Sequence, residues 1–289
     1  MIWRNWSVRV GGAALVLLLL LSLAAPWLGT VDPSLFDAAS RDLRPMETGE
    51  ITTLEGDAVK HRFLMGSDSF GRDVYSRVLY GARVSLIVGL ACALTALACG
   101  IVLGLLAGAL RWLDGPLMRV MDGVMAIPAI LIAILLVALW RPNLSTVILA
   151  IAIPEIPRVT RLVRSLVLSI REEPYVEAAV ALGTPTHRIM FGHILPNTVA
   201  PLIVQGTYIV GFAILIEAIL SFLGVGLPPD IPTWGNIMAE GRVQFVAYPH
   251  NVFFPGIFLA VTVLAVNILG DGLRDTLDPK MAKRGVEAA

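Results

Sequence analysis

Few residues of this chain are of types that do chemistry, and their spacing does not favour it. Cys92 and Cys99 stand seven apart inside an apolar run, a setting that suits small packed hydrophobes rather than a disulfide or a metal site. His61, His187, His193 and His250 fall in loops or in one short polar stretch and read as solvated or interfacial side chains. No G-x-x-x-x-G-K-[ST] phosphate loop, G-x-S-x-G elbow, H-E-x-x-H or C-x-x-C pattern occurs. No catalytic group, metal or cofactor is therefore expected, and the chain is not expected to hydrolyse ATP itself. Two features remain. Glu217 is a carboxylate well inside an apolar run, where it needs either a partner helix or a water-lined path. The stretch "EEPYVEAAVALGTPTHRIMFGHILPN", residues 172–197, brings charges, prolines and two histidines into a chain that is otherwise largely apolar.

The composition explains why so little else is polar. Hydrophobic residues make up 56% and charged ones 15%, with a mean hydropathy of +0.78, more apolar surface than a soluble domain of this length buries. The chain reads as an all-α, polytopic membrane protein in contact with lipid. The net charge is zero and the pI is near 6.9, which argues against a nucleic-acid partner.

A spanning helix needs about 20 mainly apolar residues to cross roughly 30 Å of hydrocarbon. Six stretches qualify: about 10–28, 83–110, 117–140, a fourth starting near Asn143, 198–223 and 252–269. The first, behind Arg4 and Arg9, also fits a signal peptide, with Ser22, Ala24 and Ala25 at its end. The second carries Gly100, Gly104 and Gly108 at four-residue spacing, one face on which another helix can come close. Pro128 predicts a kink in the third, and the apolar part of the fourth stops at Ile153 and continues as "PEIPRVTRLVRS".

Basic residues mark one side. Arg111 and Arg119, then Arg158, Arg161, Arg164, Arg171 and Arg188, then Arg274, Lys280, Lys283 and Arg284 flank alternate spans, whereas the segments after spans three and five hold only Arg141 and Arg242. The positive-inside rule puts both termini and the 172–197 stretch in the cytoplasm. His187 and Asn197 are then expected to face the cytoplasm, and Ser67 and Asn236 the outside. The outer loop after the first span predicts a short hairpin in "ITTLEGDAVKHRF". It then predicts an amphipathic helix on the outer interface, with Val74, Tyr75, Val78 and Leu79 at helical spacing and Asp73 four residues before Arg77.

The 172–197 stretch reads as two short helices. Pro174, behind Glu172 and Glu173, starts the first, and Gly183 closes it in a left-handed conformation. Thr184 then caps a second helix with Pro185 in its first position, running to Pro196. A plain connector between spans is usually much shorter, and the small residues Ala178, Ala179 and Ala181 suit docking into a groove on a partner.

Here the sequence resembles a known family. Glu177-Ala178-Ala179, Gly183 six residues after Glu177, and Ile194-Leu195-Pro196 look like the "EAA" loop of ABC importer membrane subunits. His193 stands where that pattern has an apolar residue, as in the "HILPN" of the peptide and nickel branch. "GSDSFGRDVYSRVLYGARVSL", "EAILSFLGVGLPPDIPTWG" and "NILGDGLRDTLDP" resemble further signatures of that branch, so the resemblance covers nearly the whole chain. It implies the type I ABC importer permease fold and a C-type permease subunit in the bacterial plasma membrane. It divides the chain into an N-terminal transmembrane helix at 1–29, an extracytoplasmic loop with an amphipathic helix at 30–82, a permease core at 83–272 with a cytoplasmic coupling loop at 171–197, and a cytoplasmic tail at 273–289. The implied partners are a homologous B-type permease, two ATP-binding subunits and an extracytoplasmic substrate-binding protein.

By the same resemblance Glu177, Ala178, Ala179, Gly183, His193, Leu195 and Pro196 meet the ATPase; Glu217, from the cost of a carboxylate inside a span, and with it Asn267 and Asp271, are expected at an intramembrane interface or pathway. The implied ligand is a dipeptide or oligopeptide, with nickel chelates, glutathione and opine-like conjugates left open. An ion-coupled secondary transporter would instead use intramembrane carboxylates and inverted repeats, and no repeat is visible. A membrane-bound enzyme lacks its cluster of catalytic residues.

Overall fold

The computed structural model describes residues 5–52 and 57–277. Arg4, Lys280, Lys283 and Arg284, which count in the charge asymmetry, lie outside the described residues, as do the centre of the hairpin stretch and most of the expected tail.

Helix α1, Trp6–Leu23, begins at Asn5, whose side chain accepts from the Ser7 amide at 2.8 Å. It lies along α11, His250–Leu277, at contact distances only glycine allows: a Cβ on Gly11 would fall 2.6 Å from the Leu269 nitrogen, and one on Gly272 2.8 Å from the Val8 nitrogen. After α1 the chain forms the expected hairpin, β1 at Glu47–Thr52 paired antiparallel with β2 at Ala58–Phe63.

Helix α2, Val74–Ala109, is one unbroken rod of 36 residues. At 1.5 Å per residue it is about 54 Å long, well beyond the hydrocarbon thickness. The separate interfacial helix expected before span two is therefore its first turns, and Val74, Val78 and Leu79 are buried rather than laid on a lipid surface. The expected Asp73–Arg77 pair is also corrected. Asp73 caps the helix by accepting from the Ser76 amide at 2.9 Å, while Arg77 turns to Asp68 at 3.0 Å and Glu240 at 3.2 Å.

The glycine face of α2 receives helix α6, Ile156–Ile170. A Cβ on Gly100, Gly104 or Gly108 would sit 2.5 Å from Val159, Val163 or Val167 in turn. Before α6, the third expected span is not a kinked rod. Helices α3, Arg111–Met125, and α4, Ala129–Leu139, meet at 86° around Pro128, and the polar face of α3 explains why: Asp122 pairs with Arg161 and Asp114 with Arg164 of α6. The fourth is α5, Leu144–Ala152, joined through a 3-10 turn at Ile153–Glu155 to α6. Among the described residues four helical segments are long and apolar enough to cross a membrane, α1, α2, Thr186–Phe222 and α11, or five if the α3–α4 pair counts as one broken span.

Three apolar clusters hold these helices together. One lies between α2, α4, α5 and α9, the helix at Leu195–Phe222; one between α2, α6, α9 and the short helices of residues 174–194; and one around Trp234 of α10, Trp234–Gly241. Cys92 is buried in the first cluster, but Cys99 is exposed, which corrects its expected packing. Ser67 and Asn236, expected to face outward, have almost no exposed surface; the Asn236 amide donates to the carbonyls of Leu227, Pro228 and Ile231 at 3.0–3.1 Å.

Candidate functional site, a platform at one end of the helices

Helix α6 is capped by Arg171, whose guanidinium donates to the Gly108 carbonyl at 2.8 Å and so fastens the start of the platform to the end of α2. Three residues later Pro174 opens α7, Pro174–Ala181, with its fixed φ and missing N–H suited to a first turn. The helix closes as the sequence predicts. Gly183 has a φ of +77°, its amide donates to Val180 at 2.9 Å, and the Thr184 amide donates to Ala179 at 3.0 Å, the paired bonds of a glycine-closed helix end.

The second helix differs from expectation. Thr184 does not cap it; Pro185 precedes α8, Thr186–Ile189, with no side-chain cap. Nor does Pro196 end it. A π turn at Met190–Ile194, in which the Leu195 amide reaches five residues back to Met190, carries the chain straight into α9. The wider turn accommodates a proline, which has no N–H to offer to an α-helical ladder. The platform is thus one free helix, α7, braced by the root of a long one.

Val176, Ile189, Met190 and Ile194 are buried against Val163 and Val167, so one side of the platform belongs to the core. Ala179 packs against this cluster and is half-buried, whereas Glu177, Ala178, Gly183 and Pro196 are exposed. His193 and Leu195 are half-buried. The His193 carbonyl accepts from the Asn197 amide at 2.6 Å, that amide also reaches the Tyr175 hydroxyl at 3.3 Å, and the rings of Tyr175 and His193 are 6.2 Å apart. The structure therefore brings the two halves of the motif together through Tyr175 and Asn197, which spacing alone did not single out. Leu182 and Phe191, 87% and 65% exposed, also went unremarked; large apolar side chains that point away from the core mark a surface made to be covered. Behind α7 lies a recess of about 510 Å³ lined by Arg171, Val176, Glu177, Thr186 and Ile194.

The intramembrane residues do not form one site. Glu217 has no exposed surface, and its carboxylate accepts from the Ser221 hydroxyl at 2.8 Å, which in turn accepts from the Leu227 amide at 3.3 Å. Glu217 is thus enclosed within its own chain, under the segment after α9 that folds back over that helix end. Asn267 and Asp271 are one turn apart on the exposed side of α11.

Residues 100–283 match the family model described as "Binding-protein-dependent transport system inner membrane component". The chain belongs to that family. This permease is 49% identical over 97% of its length, and 91% of the relative's, to a probable peptide ABC transporter permease of Sinorhizobium fredii. It is 42% identical to a di/tripeptide transport system permease of Pseudomonas aeruginosa, covering 96% and 91% of the two chains. A glutathione transport system permease of Pectobacterium atrosepticum is 42% identical over 78% of this chain and 75% of that one. A solved structure of the MetNI methionine ABC transporter, in inward-facing conformations, matches with a TM-score of 0.57 and 17% identity over 70% of this chain and 96% of that one. The permease thus has the type I importer fold and is a multi-pass inner-membrane transport component.

Proposed function

We propose that the chain is one of two permease subunits of an ATP-driven importer that takes up small peptides delivered by an extracytoplasmic binding protein. A homologous B-type permease completes the pathway, and two ATP-binding subunits supply the energy. Both termini and the platform face the cytoplasm, with the hairpin and α10 on the other side. The reading rests on the platform: α7 is held rigidly by the closure at Gly183 and by its apolar underside, while its outer face, with Ala178, Leu182 and Glu177, is free to enter a groove on an ATP-binding subunit. Ala179, His193, Leu195 and Pro196 support that face from behind and beside it. Movement of the docked subunits then turns α7 and the root of α9 together and shifts the permease pair between inward-open and outward-open states. Asn267 and Asp271 face the partner permease or the pathway. Relatives named for peptides at 42–49% identity support the ligand class, and those named for glutathione, itself a peptide, fall within it.

The test is uptake of a labelled dipeptide into vesicles carrying the whole complex. ATP and the binding protein should both be required, and collapsing the membrane potential should change nothing. Uptake that follows the potential without ATP would favour an ion-coupled transporter instead.

A further inference from the structure

Arg158 is an unusual charge. It lies midway along the α5–α6 segment of residues 144–170, and the aromatic residues beside it, Tyr208 and Phe212, lie midway along α9. Its guanidinium carbon is 5.5 Å from the Tyr208 ring and 5.9 Å from the Phe212 ring, and the two rings stack at 6.1 Å with 13° between their planes. Behind it stands Glu155, whose side chain is 1% exposed against 42% for Arg158. One nitrogen, Nη1, makes both bonds to Glu155, at 2.8 and 3.1 Å. Nε and Nη2 of Arg158, and the Tyr208 hydroxyl, have no hydrogen-bond partner among the described residues.

Counted in the sequence with the basic flank of the fourth span, Arg158 lies instead against the middle of a helix long and apolar enough to cross a membrane, where a half-exposed guanidinium is costly against lipid and turns to water or protein. The rest of this face of α6 is polar as well. Arg161 and Ser165, three and seven residues on from Arg158, continue its face toward the platform, and both are exposed. The opposite face, Val159, Val163 and Val167, is closed against the glycines of α2. Glu155 fixes the guanidinium by one corner and leaves its other edge, with two kinds of N–H, presented beside a phenol hydroxyl and a stacked aromatic surface. That set fits a planar carboxylate with an apolar group next to it, since a guanidinium edge donates in the fork that a carboxylate accepts.

We infer that Arg158, with Tyr208 and Phe212, forms a subsite in the permease pathway for the carboxylate end of a small peptide, the terminal side chain lying against the two rings. The subsite rests on the peptide reading above. Glu155 is a positioning residue: it orients the guanidinium and, being enclosed, does not meet the ligand.

The test uses charge replacement in the complete transporter, reconstituted in vesicles with its binding protein, with Cys92→Ala and Cys99→Ser as background and labelled alanyl-phenylalanine as probe. Arg158→Cys should lower uptake about tenfold, the factor that loss of about 1.4 kcal/mol of charge-assisted bonding produces. A water-soluble aminoethyl thiosulfonate should label the cysteine and restore most of the uptake, and the sulfonatoethyl reagent should label it without restoring any. Because Arg158→Cys leaves Glu155 enclosed without its partner, the pair Glu155→Gln with Arg158→Cys keeps the fold testable, and the cationic reagent should restore uptake there too. Rescue that needs Glu155 would make Arg158 a mere counter-ion, equal rescue by both reagents would make it a space-filler, and a cysteine that neither reagent reaches would place it under lipid or the partner permease; each overturns the subsite. If the background complex imports no dipeptide with ATP, the peptide reading falls and takes the subsite with it.

Discussion

The Thr184 amide donates to the Ala179 carbonyl at 3.0 Å across Gly183, so the direction in which the chain leaves α7 is fixed by one left-handed residue. A Cβ at Gly183 would meet nothing within 4 Å, so the constraint there is conformational and not steric. Gly183→Val is expected to cost about 1–3 kcal/mol of backbone strain and to tilt α7. ATP-dependent uptake should fall steeply while the chain still inserts. Gly183→Asn, which tolerates that conformation, should be much milder. Equal uptake by both variants and the parent would show that the angle does not matter.

The α2–α6 contact makes the opposite kind of demand. At Gly104 a Cβ would fall 2.5 Å from the Val163 Cβ and 2.8 Å from the Thr160 carbonyl, whereas at Gly123 in α3 it meets open space. Gly104→Ala is expected to destabilise the purified complex by about 1–3 kcal/mol through overpacking. Gly123→Ala should be neutral or stabilising by up to about 1 kcal/mol through helix propensity. Thermal unfolding of the two variants side by side should show a clear loss for Gly104→Ala and none for Gly123→Ala.

The start of α2 and helix α10 are tied through charge. Arg77, 1% exposed, is shared between Asp68 and Glu240, and Arg72 joins both. Withdrawal from water pushes the Glu240 carboxyl above its ordinary 4.5, against the pull of Arg77 and Arg72. The folded state then holds this proton more tightly than the unfolded one. Its contribution is present at low pH and is lost as pH rises from 4.5 through the raised folded value. Glu240→Gln should flatten the pH dependence of the unfolding temperature across that window. An unchanged slope would assign the dependence to another group.

Topology is testable with single cysteines, provided the reporters are exposed. His187 and Val59 meet that condition where Ser67 and Asn236 do not, and exposed Cys99 must first be replaced. A membrane-impermeant thiol reagent should label positions 187 and 59 from opposite sides. Labelling from one side would refute the orientation.

Much of this was legible in the sequence where the cause is local. The helix start at Pro174 and the closure at Gly183 follow from backbone preferences of single residues, and the approach of α6 was announced by glycines four apart. What misled was spacing that implied a local partner when a distant one existed. Asp73 and Arg77 are placed for an i,i+4 pair, yet Arg77 finds a carboxylate in α10. Pro128 signals a bend, but the 86° depends on pairs between α3 and α6 that no window contains. The role of Arg158 was hidden for the same reason, since its rings come from another helix.

Docking of α7 is the centre of the functional reading, and Leu182, 87% exposed, is the large apolar residue of its outer face, with exposed Ala178 one turn before it. Neither contributes to the core, so Ala178→Asp with Leu182→Asp should leave folding and membrane insertion intact. The decisive measurement is how much of the two ATP-binding subunits copurifies with this doubly substituted chain, relative to the B-type permease as an internal standard. Recovery of the ATP-binding subunits should drop about tenfold or more, as loss of central apolar contacts in an interface produces, while recovery of the partner permease holds. Full recovery of both, with normal ATP-driven uptake, would show that this face docks nothing.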